Sequence, residues 1–554
     1  MDCSSSFLSF EQTGFFSNTV IDYVNGAAAL KPFYNYPVSI EGIKASIAER
    51  KKFKTDRKLL VSVLLKQYAS VEASKEVITN INSLLSEHTF TICTAHQPNI
   101  FTGPLYFIYK ILHVIKLAQQ LRAQLPENNF IPVYYMGSED ADLDELGHIY
   151  INGEKYQWAT SQTGAVGRMK VDKVLVKLLD TVSGQLLVQP FGDEIITLMR
   201  ECYYEGVTIE QATFQLVNKL FEEYGLIILL PDNRELKNSF VPVIEKELIE
   251  EFSHKGVKET ILAFGEDYKI QASGRALNMF YLRDDKRERI EKLDEEWSVV
   301  NTELKFTQDE MITELKQYPE RFSPNVIMRP VFQEWILPNI VFVGGGGEIA
   351  YWLQLKKVFE AVNTPYPLMI VRNSFMFVVK EIQQLVDKLQ FNYEEIFQPE
   401  ADLFNQLVKR DSLLQVNLEK EQLHLNVFYE QLKNIVDKID VTLRTHTEAL
   451  QTQALKKISA LEKKMFRAEK KKFAAQQRQL QKIKAQLFPN NNLQERTDNL
   501  MPYYAKWGKA FISMIHNNTK GLEQEFGILM ESPSAKKEVL EQGIISEGEK
   551  KSAQ

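Results

Sequence analysis

Short apolar runs alternate with longer amphipathic segments along much of this chain. The run at 90–93 is β-prone and leads, through a loop, into a segment with apolar residues every three or four positions over 105–117. Further apolar runs lie at 131–136 and 225–230, with amphipathic segments after them along the chain. Such alternation is typical of a parallel sheet with helices on both faces, so we predict an α/β core.

The alternation loosens between residues 254 and 325, where the sequence is charged and irregular. It returns with a β-prone stretch at 326–332 and strand patterns at 338–343 and 366–371. A helical pattern at 348–361 lies between these two strands. We therefore interpret 254–325 as an insertion in the core.

A different pattern begins near residue 402. No glycine or proline occurs over 402–487, and Lys, Glu, Gln and Leu dominate. Apolar residues recur at alternating spacings of four and three over 454–468 and, after one phase slip, resume over 473–487. This heptad seam predicts a coiled coil, and a helix break at 440–442 predicts that two helices pack as an antiparallel hairpin arm.

These changes of pattern divide the chain into five segments, and Pro489 marks the end of the arm. The segments are a core with an N-terminal helical region at 1–253, a connecting insertion at 254–325, the second part of the core at 326–401, the coiled-coil arm at 402–488 and a C-terminal segment that packs on the core at 489–554.

Composition and charge narrow the class of protein. Hydrophobic residues make up 44% of the chain, which is enough for a sizeable core. The net charge of −7 argues against nucleic acid as the main partner. Three distant cysteines fit neither a disulfide framework nor a metal site, and indicate a reduced, cytoplasmic protein. We expect no signal peptide and no membrane span.

Ligands bind open α/β sheets at the carboxyl ends of their strands. Three predicted loops lie there, at 96–104, 137–145 and 344–348, and Arg372 follows the last strand pattern. In the first loop, the helix start around Thr102 offers free backbone N–H groups that suit an anion, with Thr102 as a candidate N-cap. The alternative is an ordinary β–α unit that binds nothing.

A run of four glycines separates a predicted strand from a predicted helix that starts at Glu348. The run is not the fingerprint of a dinucleotide site, and no Lys-Ser or Lys-Thr pair follows it as in a P-loop. It predicts a cradle for a phosphate or carboxylate, because glycine lets the backbone approach a ligand closely. A tight turn with structural glycines is the alternative. The run consists of Gly344, Gly345, Gly346 and Gly347.

Carboxylates follow the strand pattern at 131–136, among them Glu139, Asp140 and Asp142. Carboxylates at this position could bind a substrate amine, hold Mg²⁺ through oxygen ligands, or act as a general base. Solvated loop charge is the alternative. Their spacing is not that of an EF-hand loop.

The first loop and two arginines add further candidates. His96 and Gln97 lie in a Gly/Pro-containing loop before a helix, where a histidine suits acid–base chemistry; a structural histidine is the alternative. Arg329 and Arg372 lie at or next to strand patterns and suit bidentate binding of carboxylate or phosphate. An ion pair at the edge of the core is the alternative for both arginines.

Five motifs, in order along most of the chain, resemble the family of the bacillithiol biosynthesis cysteine-adding enzyme (cysteine ligase BshC). They are FTGPLYFIYK, VYYMGSEDADLDELGHIY, RPVFQEWILPNIVFVGGGGEIAYWLQLK, LEKKMFRAEKK and LFPNNNLQER. The family commonly has Gly-Gln-Gln where this chain has His96-Gln97-Pro98, so Gln97 carries over and the role of His96 stays open. The tail after about residue 530 has no counterpart that we can place.

The resemblance implies a Rossmann-like core similar to nucleotidyltransferases and class I aminoacyl-tRNA synthetases, with helical insertions and a coiled-coil arm through which the family forms homodimers. The implied reaction adds L-cysteine to glucosaminyl-malate by amide formation, the last step of bacillithiol biosynthesis. A free carboxylate does not condense with an amine unaided, so activation by ATP or another nucleotide with Mg²⁺ is the expected route. The chain lacks the HIGH and KMSKS signatures of the synthetases, which leaves the nucleotide open.

The resemblance also implies a role for each group of candidate residues. The glycine run and the helix start at Thr102 and Gly103 would cradle anionic groups, and Arg329 or Arg372 would hold the malate carboxylates. Glu139, Asp140 or Asp142 would bind or deprotonate the glucosamine amine. Two alternatives stay open: another ATP-dependent amino-acid ligase or nucleotidyltransferase on the same core, and a non-catalytic coiled-coil scaffold.

Overall fold

The computed structural model describes residues 3–293 and 296–532. Within these residues the chain forms two compact units, one from the segments before residue 378 and after residue 491, the other from Val378–Asn491. No helix in the described part of the chain is both long and apolar enough to cross a bilayer. The predicted C-terminal segment 489–554 lies inside this part only as far as residue 532.

The strands are short. In chain order they are β1 (Cys3–Leu8), β2 (Thr89–His96), β3 (Asn129–Met136), β4 (His148–Ile151), β5 (Glu154–Gln157), β6 (Ile227–Leu229), β7 (Met279–Arg283), β8 (Lys286–Leu293), β9 (Glu296–Val299), β10 (Lys305–Phe306), β11 (Phe322–Pro324), β12 (Asn339–Gly344), β13 (Leu368–Val371), β14 (Ser374–Val378) and β15 (Phe526–Glu531).

Helices make up most of the remaining regular structure. In chain order they are α1 (Phe10–Thr13), α2 (Asn18–Val24), α3 (Ile40–Arg50), α4 (Arg57–Tyr68), α5 (Lys75–Ser83), α6 (Tyr106–Gln124), α7 (Leu143–Leu146), α8 (Lys173–Leu186), α9 (Gly192–Cys202), α10 (Ile209–Phe221), α11 (Arg234–Glu250), α12 (Phe252–Phe264), α13 (Gln308–Gln317), α14 (Met328–Ile336), α15 (Gly346–Trp352), α16 (Lys356–Ala361), α17 (Lys380–Lys388), α18 (Glu400–Asp411), α19 (Glu419–Val436), α20 (Leu443–Lys470), α21 (Ala474–Leu487), α22 (Gln494–Thr497), α23 (Leu500–Trp507) and α24 (Lys509–Asn518).

Five strands form the central sheet, in the order β13-β12-β2-β3-β6, and each neighbouring pair is parallel. Cys93 of β2 lies between Val133 of β3 and Phe342 of β12. The chain winds outward in one direction from β2 to β6 and in the other through β12 and β13, so the winding reverses between β2 and β12. Nearly every residue of β2, β3 and β12 is buried, as a sheet covered on both faces requires, and the predicted parallel core is confirmed.

The segment interpreted as an insertion carries a second sheet. It is antiparallel, in the order β10-β9-β8-β7-β11. Its strand β8 reads Lys-Arg-Glu-Arg-Ile-Glu-Lys-Leu and buries only the isoleucine fully. A strand with so much exposed or half-exposed charge has no apolar alternation, which explains why the sequence pattern loosens there.

Two elements after the insertion differ from the prediction. The stretch 326–332, predicted as β-prone, lies largely in helix α14, because the Asn325 side chain accepts the N–H groups of Ile327 (2.8 Å) and Met328 (3.3 Å) and caps the helix. The predicted helix 348–361 is in fact two helices, α15 and α16, and the first begins two residues earlier than predicted.

The start of α6 also differs from the prediction. Thr102 is not its N-cap, because Thr102 has a left-handed backbone (φ 73°) and the helix begins four residues later. The Leu105 N–H donates to the Asp498 carbonyl oxygen at 2.8 Å. Asn499 Nδ2 donates to the Gly103 carbonyl oxygen at 2.7 Å. The returning C-terminal segment therefore occupies the position at which the sequence predicted an anion.

The C-terminal segment is held to the core through α6 as well. Buried His113 of α6 has Nε2 2.8 Å from the Gly521 carbonyl oxygen, and the Asn373 N–H donates to its Nδ1 at 3.1 Å. The neutral ring with the proton on Nε2 makes both hydrogen bonds, and protonation of Nδ1 would break the second. Burial, the largest cause, lowers the pKa of His113 from 6.5 to about 4.

Stability should therefore fall in acid through His113. Because its pKa is lower in the folded than in the unfolded chain, the unfolded chain binds more protons between pH 6.5 and pH 4. We expect the contribution of His113 to the free energy of unfolding to fall by about 3 kcal/mol across that range. Urea unfolding at pH 7 and pH 4 measures the loss. In His113→Gln, whose side chain does not titrate, the loss should be smaller, and an equal loss in both proteins would contradict the assignment.

The second compact unit is helical. Helices α19 and α20 pack side by side, joined by a short connection at 437–442 that contains the predicted break, so they form an antiparallel hairpin. Helix α21 packs against α17 and α18. The predicted phase slip between 468 and 473 coincides with a 3₁₀ turn, Lys471–Phe473, which separates α20 from α21.

Candidate active site

A cavity of about 640 Å³ lies at the carboxyl ends of the core strands β2, β3, β12 and β13. These strands contribute the residues that end or follow them, His96, Gly137, Gly345 and Arg372. Residues of the insertion, mainly within 272–280, supply much of the remaining wall. The cavity lies where the winding of the sheet reverses, which is the usual ligand position in open α/β sheets.

Charged side chains are numerous in the lining. Seven are cationic and three are carboxylates, so the cavity has a surplus of positive charge that suits a ligand with several negative charges. The cationic residues are Lys110, Arg275, Arg287, Arg289, Arg329, Arg372 and Arg496, and the carboxylates are Asp140, Glu145 and Glu348.

Asp140 is tied to its neighbours by several contacts. Gln97 Nε2 donates to Asp140 Oδ2 at 3.2 Å, and Arg329 Nη2 lies 3.5 Å from the same oxygen. The Asp142 N–H donates to the other oxygen at 3.4 Å. Burial raises the pKa of Asp140, but the charges of Arg329 and Arg287 and the hydrogen bond from Gln97 outweigh it and hold that pKa below its ordinary value. Asp140 is therefore ionised at neutral pH.

Glu145 is a second acidic-loop residue in the lining. Its N–H donates to Asp142 Oδ1 at 3.0 Å, so Asp142 is the N-cap of α7. No hydrogen bond or ion pair from residues 3–293 or 296–532 reaches the Glu145 carboxylate. Burial, followed by the charges of Asp142 and Asp140, raises the pKa of Glu145 above its ordinary value.

Arg287 of the insertion lies near Arg329 in the lining. Its guanidinium carbon is 3.9 Å from the centre of the Phe280 ring, and its Nε donates to Ser323 Oγ at 3.0 Å. Burial and the nearby charge of Arg329 lower the pKa of Arg287 to about 10, so it is cationic at neutral pH. With Asp140 as their common carboxylate, the two arginines leave a surplus positive charge in this part of the cavity.

His96 lies at the end of β2, only 7% exposed. Its ring contacts Tyr106 and Phe107, with 5.3 and 5.2 Å between ring centres. Burial, the charge of Lys110 and the charge of Arg372 hold the pKa of His96 well below 6.5, so the ring is neutral at pH 7. Its Nε2 has no hydrogen-bond partner among the residues that the structure describes.

Arg372 makes the ion pair that the sequence left open as an alternative. Its two terminal nitrogens donate to both oxygens of Glu495, at 2.9 and 2.7 Å, and both side chains are buried. The guanidinium also lies over the Tyr106 ring, 5.2 Å from its centre. Arg372 thus belongs to the lining, but Glu495 already balances its charge.

Three of the four glycines in the run line the cavity. Gly344, the last residue of β12, does not. A Cβ atom at Gly347 would have no neighbour within 4 Å, so the missing side chain leaves open space there. The Gly345 N–H donates to Glu348 Oε2 at 2.8 Å, and the same oxygen pairs with Lys110.

Besides Gly344, four of the predicted site residues lie outside the lining. Glu139 is buried and pairs with Lys237 Nζ at 2.5 Å, and Lys237 also contacts Asp232 Oδ1 at 2.9 Å. Asp142 is exposed and caps α7. The remaining two residues are Thr102 and Gly103, which the C-terminal segment covers.

Lys237 should be important for stability, because it is the cation between two buried carboxylates. We expect Lys237→Met to lower the free energy of unfolding by about 3–5 kcal/mol, since it leaves Glu139 and Asp232 without that cation. Guanidinium unfolding at pH 7 measures the change. As a control, Lys66→Met removes the exposed Lys66–Glu235 pair and should cost less than about 1 kcal/mol. Equal stability of the two variants would contradict a structural role for Lys237.

Several lining residues were not among the predicted site residues. Lys110 follows Tyr106 by one helical turn on α6 and was visible as a charge in an otherwise apolar helix. Glu145 is a further carboxylate of the loop 137–145, and its local sequence does not distinguish it from the other carboxylates there. Arg496 and its neighbour Glu495 end the motif LFPNNNLQER, but no local pattern placed them at the cavity, because they follow the whole arm in the sequence. Within the described residues, no group of three or more His, Cys, Asp or Glu side chains could hold a metal ion.

Comparison with models of protein families shows to which family this chain belongs. A family model described as bacillithiol biosynthesis BshC, N-terminal Rossmann-like domain, matches residues 3–373. The chain belongs to the BshC family. A second model of this family, its C-terminal coiled-coil domain, matches residues 375–531. The two matches confirm the Rossmann-like core and the coiled-coil part of the BshC-family chain.

Relatives align with this BshC-family chain over nearly its whole length. "Putative cysteine ligase BshC" of Flavobacterium johnsoniae is 36% identical over 524 residues, which cover 94% of this chain and 99% of the relative. Relatives of the same name from Christiangramia forsetii and Flavobacterium psychrophilum are 36% and 37% identical, and each alignment covers 94% of this chain and 98% of the relative.

Among solved structures, a chain described as a putative arginyl-tRNA synthetase from Campylobacter jejuni matches this protein. The match covers 79% of this chain and 98% of that one, with 10% identity and a TM-score of 0.23. A TM-score this low does not support a structural relationship, so the similarity to class I synthetases stays a prediction.

Proposed function

We propose that this protein is a ligase that joins the carboxyl group of L-cysteine to the amine of glucosaminyl-malate, the last step of bacillithiol biosynthesis. The observation that carries the proposal is the charge of the cavity, with seven cationic side chains against three carboxylates. The malate part of the acceptor has two carboxylates and cysteine has a third, so the substrates match this surplus. The names of the aligned relatives support the same reaction class.

Arg329 and Arg287 bind the malate carboxylates in this proposal. Their guanidinium groups both face the cavity, and they share only Asp140 as a nearby lining carboxylate. Guanidinium groups bind carboxylates through paired, charge-assisted hydrogen bonds. Arg372 is less suited to this role, because Glu495 already occupies both of its terminal nitrogens.

Asp140 binds the ammonium group of the acceptor. It is the one residue among Glu139, Asp140 and Asp142 that lines the cavity, and its pKa lies below its ordinary value, so it offers a stable negative charge. Gln97 holds the carboxylate in place through its side-chain amide. His96, neutral and buried beside Gln97, contributes a polar ring nitrogen without adding charge.

We propose that a nucleotide, ATP or another, activates the cysteine carboxyl group together with Mg²⁺. The region around the glycine run fits a phosphate group, because Gly347 leaves space there and Lys110 and Arg496 add positive charge to the same lining. A nucleotide bound in this region would supply the leaving group that a free carboxylate lacks.

We also propose that the protein forms a homodimer through the arm and works in the cytoplasm, where its cysteines stay reduced. Leu423, Val427 and Ile435 follow one stripe of α19 and are 52–63% exposed, although they are apolar. A second copy of the arm would cover them. Light scattering should show a dimer that becomes a monomer in Val427→Glu/Ile435→Glu, whereas Val188→Glu, at an exposed apolar position outside the arm, should stay a dimer. A monomeric wild type would refute the dimer.

The cellular thiol profile tests the proposed reaction. Cells that lack this protein should lose bacillithiol and accumulate glucosaminyl-malate, as measured by mass spectrometry. Expression of the wild type should restore bacillithiol, and expression of an Asp140→Asn variant should not. Unchanged bacillithiol in the deletion strain would count against the proposed reaction, and the purified protein would then be screened with ATP against other amino acids and amino sugars.

A further inference from the structure

Two carboxylates of the acidic loop line the cavity, Asp140 and Glu145, and their surroundings differ. Asp140 accepts hydrogen bonds from the Gln97 side chain and the Asp142 N–H, and it pairs with Arg329. The Glu145 carboxylate receives no such contact from the described residues. Donors stabilise a carboxylate as the anion and oppose its protonation, so Glu145 takes up a proton more readily than Asp140.

We propose that Glu145 is the general base of the reaction and that Asp140 only holds the acceptor's ammonium group. This inference rests on the proposed function of the cavity. In the step, one N–H bond of the ammonium group breaks and its electron pair stays on nitrogen, which becomes the nucleophile. The proton forms an O–H bond with Glu145, and because that side chain is only partly buried, it then passes the proton to water.

The local structure fixes Glu145 for this role. The Asp142 cap holds its N–H, and Asn99 Nδ2 lies 3.5 Å from its carbonyl oxygen, so the backbone of Glu145 is fixed at the cavity. The titratable groups that act on its carboxylate are Asp140 and Asp142 of its own loop and Tyr106 of α6. The two negative charges and burial raise its pKa, which brings the base closer to neutral pH and makes it more effective.

Glu145→Gln tests the assignment with the full-length protein, glucosaminyl-malate, L-cysteine and ATP. We expect kcat to fall roughly 100- to 10,000-fold, the usual contribution of a general base, and the acid limb of the pH–rate profile to move to the higher pKa of the substrate amine, which must then lose its proton without the base. The KM for glucosaminyl-malate should change little, because Asp140 still binds the ammonium group. Glu145→Asp should keep part of the activity. Asp144→Asn, a neighbouring exposed position outside the lining, should behave like the wild type.

Hydroxylamine separates a base from a residue that merely supports the structure. It is largely unprotonated at neutral pH and reacts with an activated carboxyl group without a base, forming cysteine hydroxamate. Glu145→Gln should form the hydroxamate at the wild-type rate while its amide formation is slow. Equal loss of both products, or an unchanged kcat and pH profile, would overturn the role of Glu145. A wild type that forms neither product would overturn the proposed function together with this inference.

Discussion

Replacing Asp140 by asparagine is expected to raise the KM for glucosaminyl-malate roughly 10- to 150-fold and to leave the KM for L-cysteine near its wild-type value. A hydrogen bond to a charged group contributes about 1.5–3 kcal/mol, and 1.4 kcal/mol corresponds to a factor of ten. Asparagine keeps the size of the side chain and removes the charge that binds the ammonium group. Steady-state kinetics with each substrate varied in turn measure the change.

Asp142→Asn is the matched control for Asp140→Asn. It makes the same change two residues away, at an exposed position that caps α7, and asparagine caps a helix as well as aspartate does. Its KM for glucosaminyl-malate should therefore equal that of the wild type. If Asp142→Asn had the larger effect, the acceptor amine would be bound by the exposed end of the loop and not inside the cavity.

Replacing Arg329 by methionine should lower kcat/KM for glucosaminyl-malate roughly 100- to 10,000-fold, because two charge-assisted hydrogen bonds to a malate carboxylate are lost. Kinetics with glucosaminyl-malate varied measure the effect, and kcat/KM for free glucosamine, which lacks malate, should fall little. The Asp140→Asn/Arg329→Met double variant should lose less than the product of the single effects, since the two side chains interact.

An exposed arginine controls for the loss of charge at Arg329. Arg283 ends strand β7, is half exposed and lies 3.6 Å from the carboxylate of Asp284. Arg283→Met should leave kcat/KM for glucosaminyl-malate unchanged. A similar loss in both variants would mean that the overall charge of the protein, and not a malate site at Arg329, attracts the substrate.

The parallel core could be predicted from sequence because its strands are buried on both faces. Continuous apolar runs such as 131–136 and 338–343, when they alternate with amphipathic helices, are typical of strands in a parallel sheet that helices cover on both faces. The antiparallel sheet of the insertion could not be predicted, since a strand such as β8 is mostly charged. The sequence also predicted that the end of β2 and the loop after β3 lie at one edge of the sheet, because the carboxyl ends of parallel strands share an edge. Both border the cavity in the structure.

Side-chain direction decided which predicted site residues reached the cavity. Glu139 and Asp140 are adjacent in sequence, yet Glu139 turns to Lys237 and Asp140 faces Arg329. Nothing in the local sequence distinguishes them, because Lys237 approaches from α11, far along the chain. Glu495 is a similar case, since its pairing with Arg372 depends on the return of the chain after the arm.

Reconstitution with purified protein is the most direct test of the central claim. The full-length protein would be mixed with L-cysteine, glucosaminyl-malate, ATP and Mg²⁺, and the products followed by mass spectrometry, with the other nucleoside triphosphates in parallel. We predict formation of bacillithiol in step with nucleotide consumption, and much slower formation by the Asp140→Asn variant at glucosaminyl-malate concentrations below the KM. Absence of bacillithiol with every nucleotide, from a folded protein, would contradict the ligase reaction. Equal formation by the wild type and the variant would contradict the site.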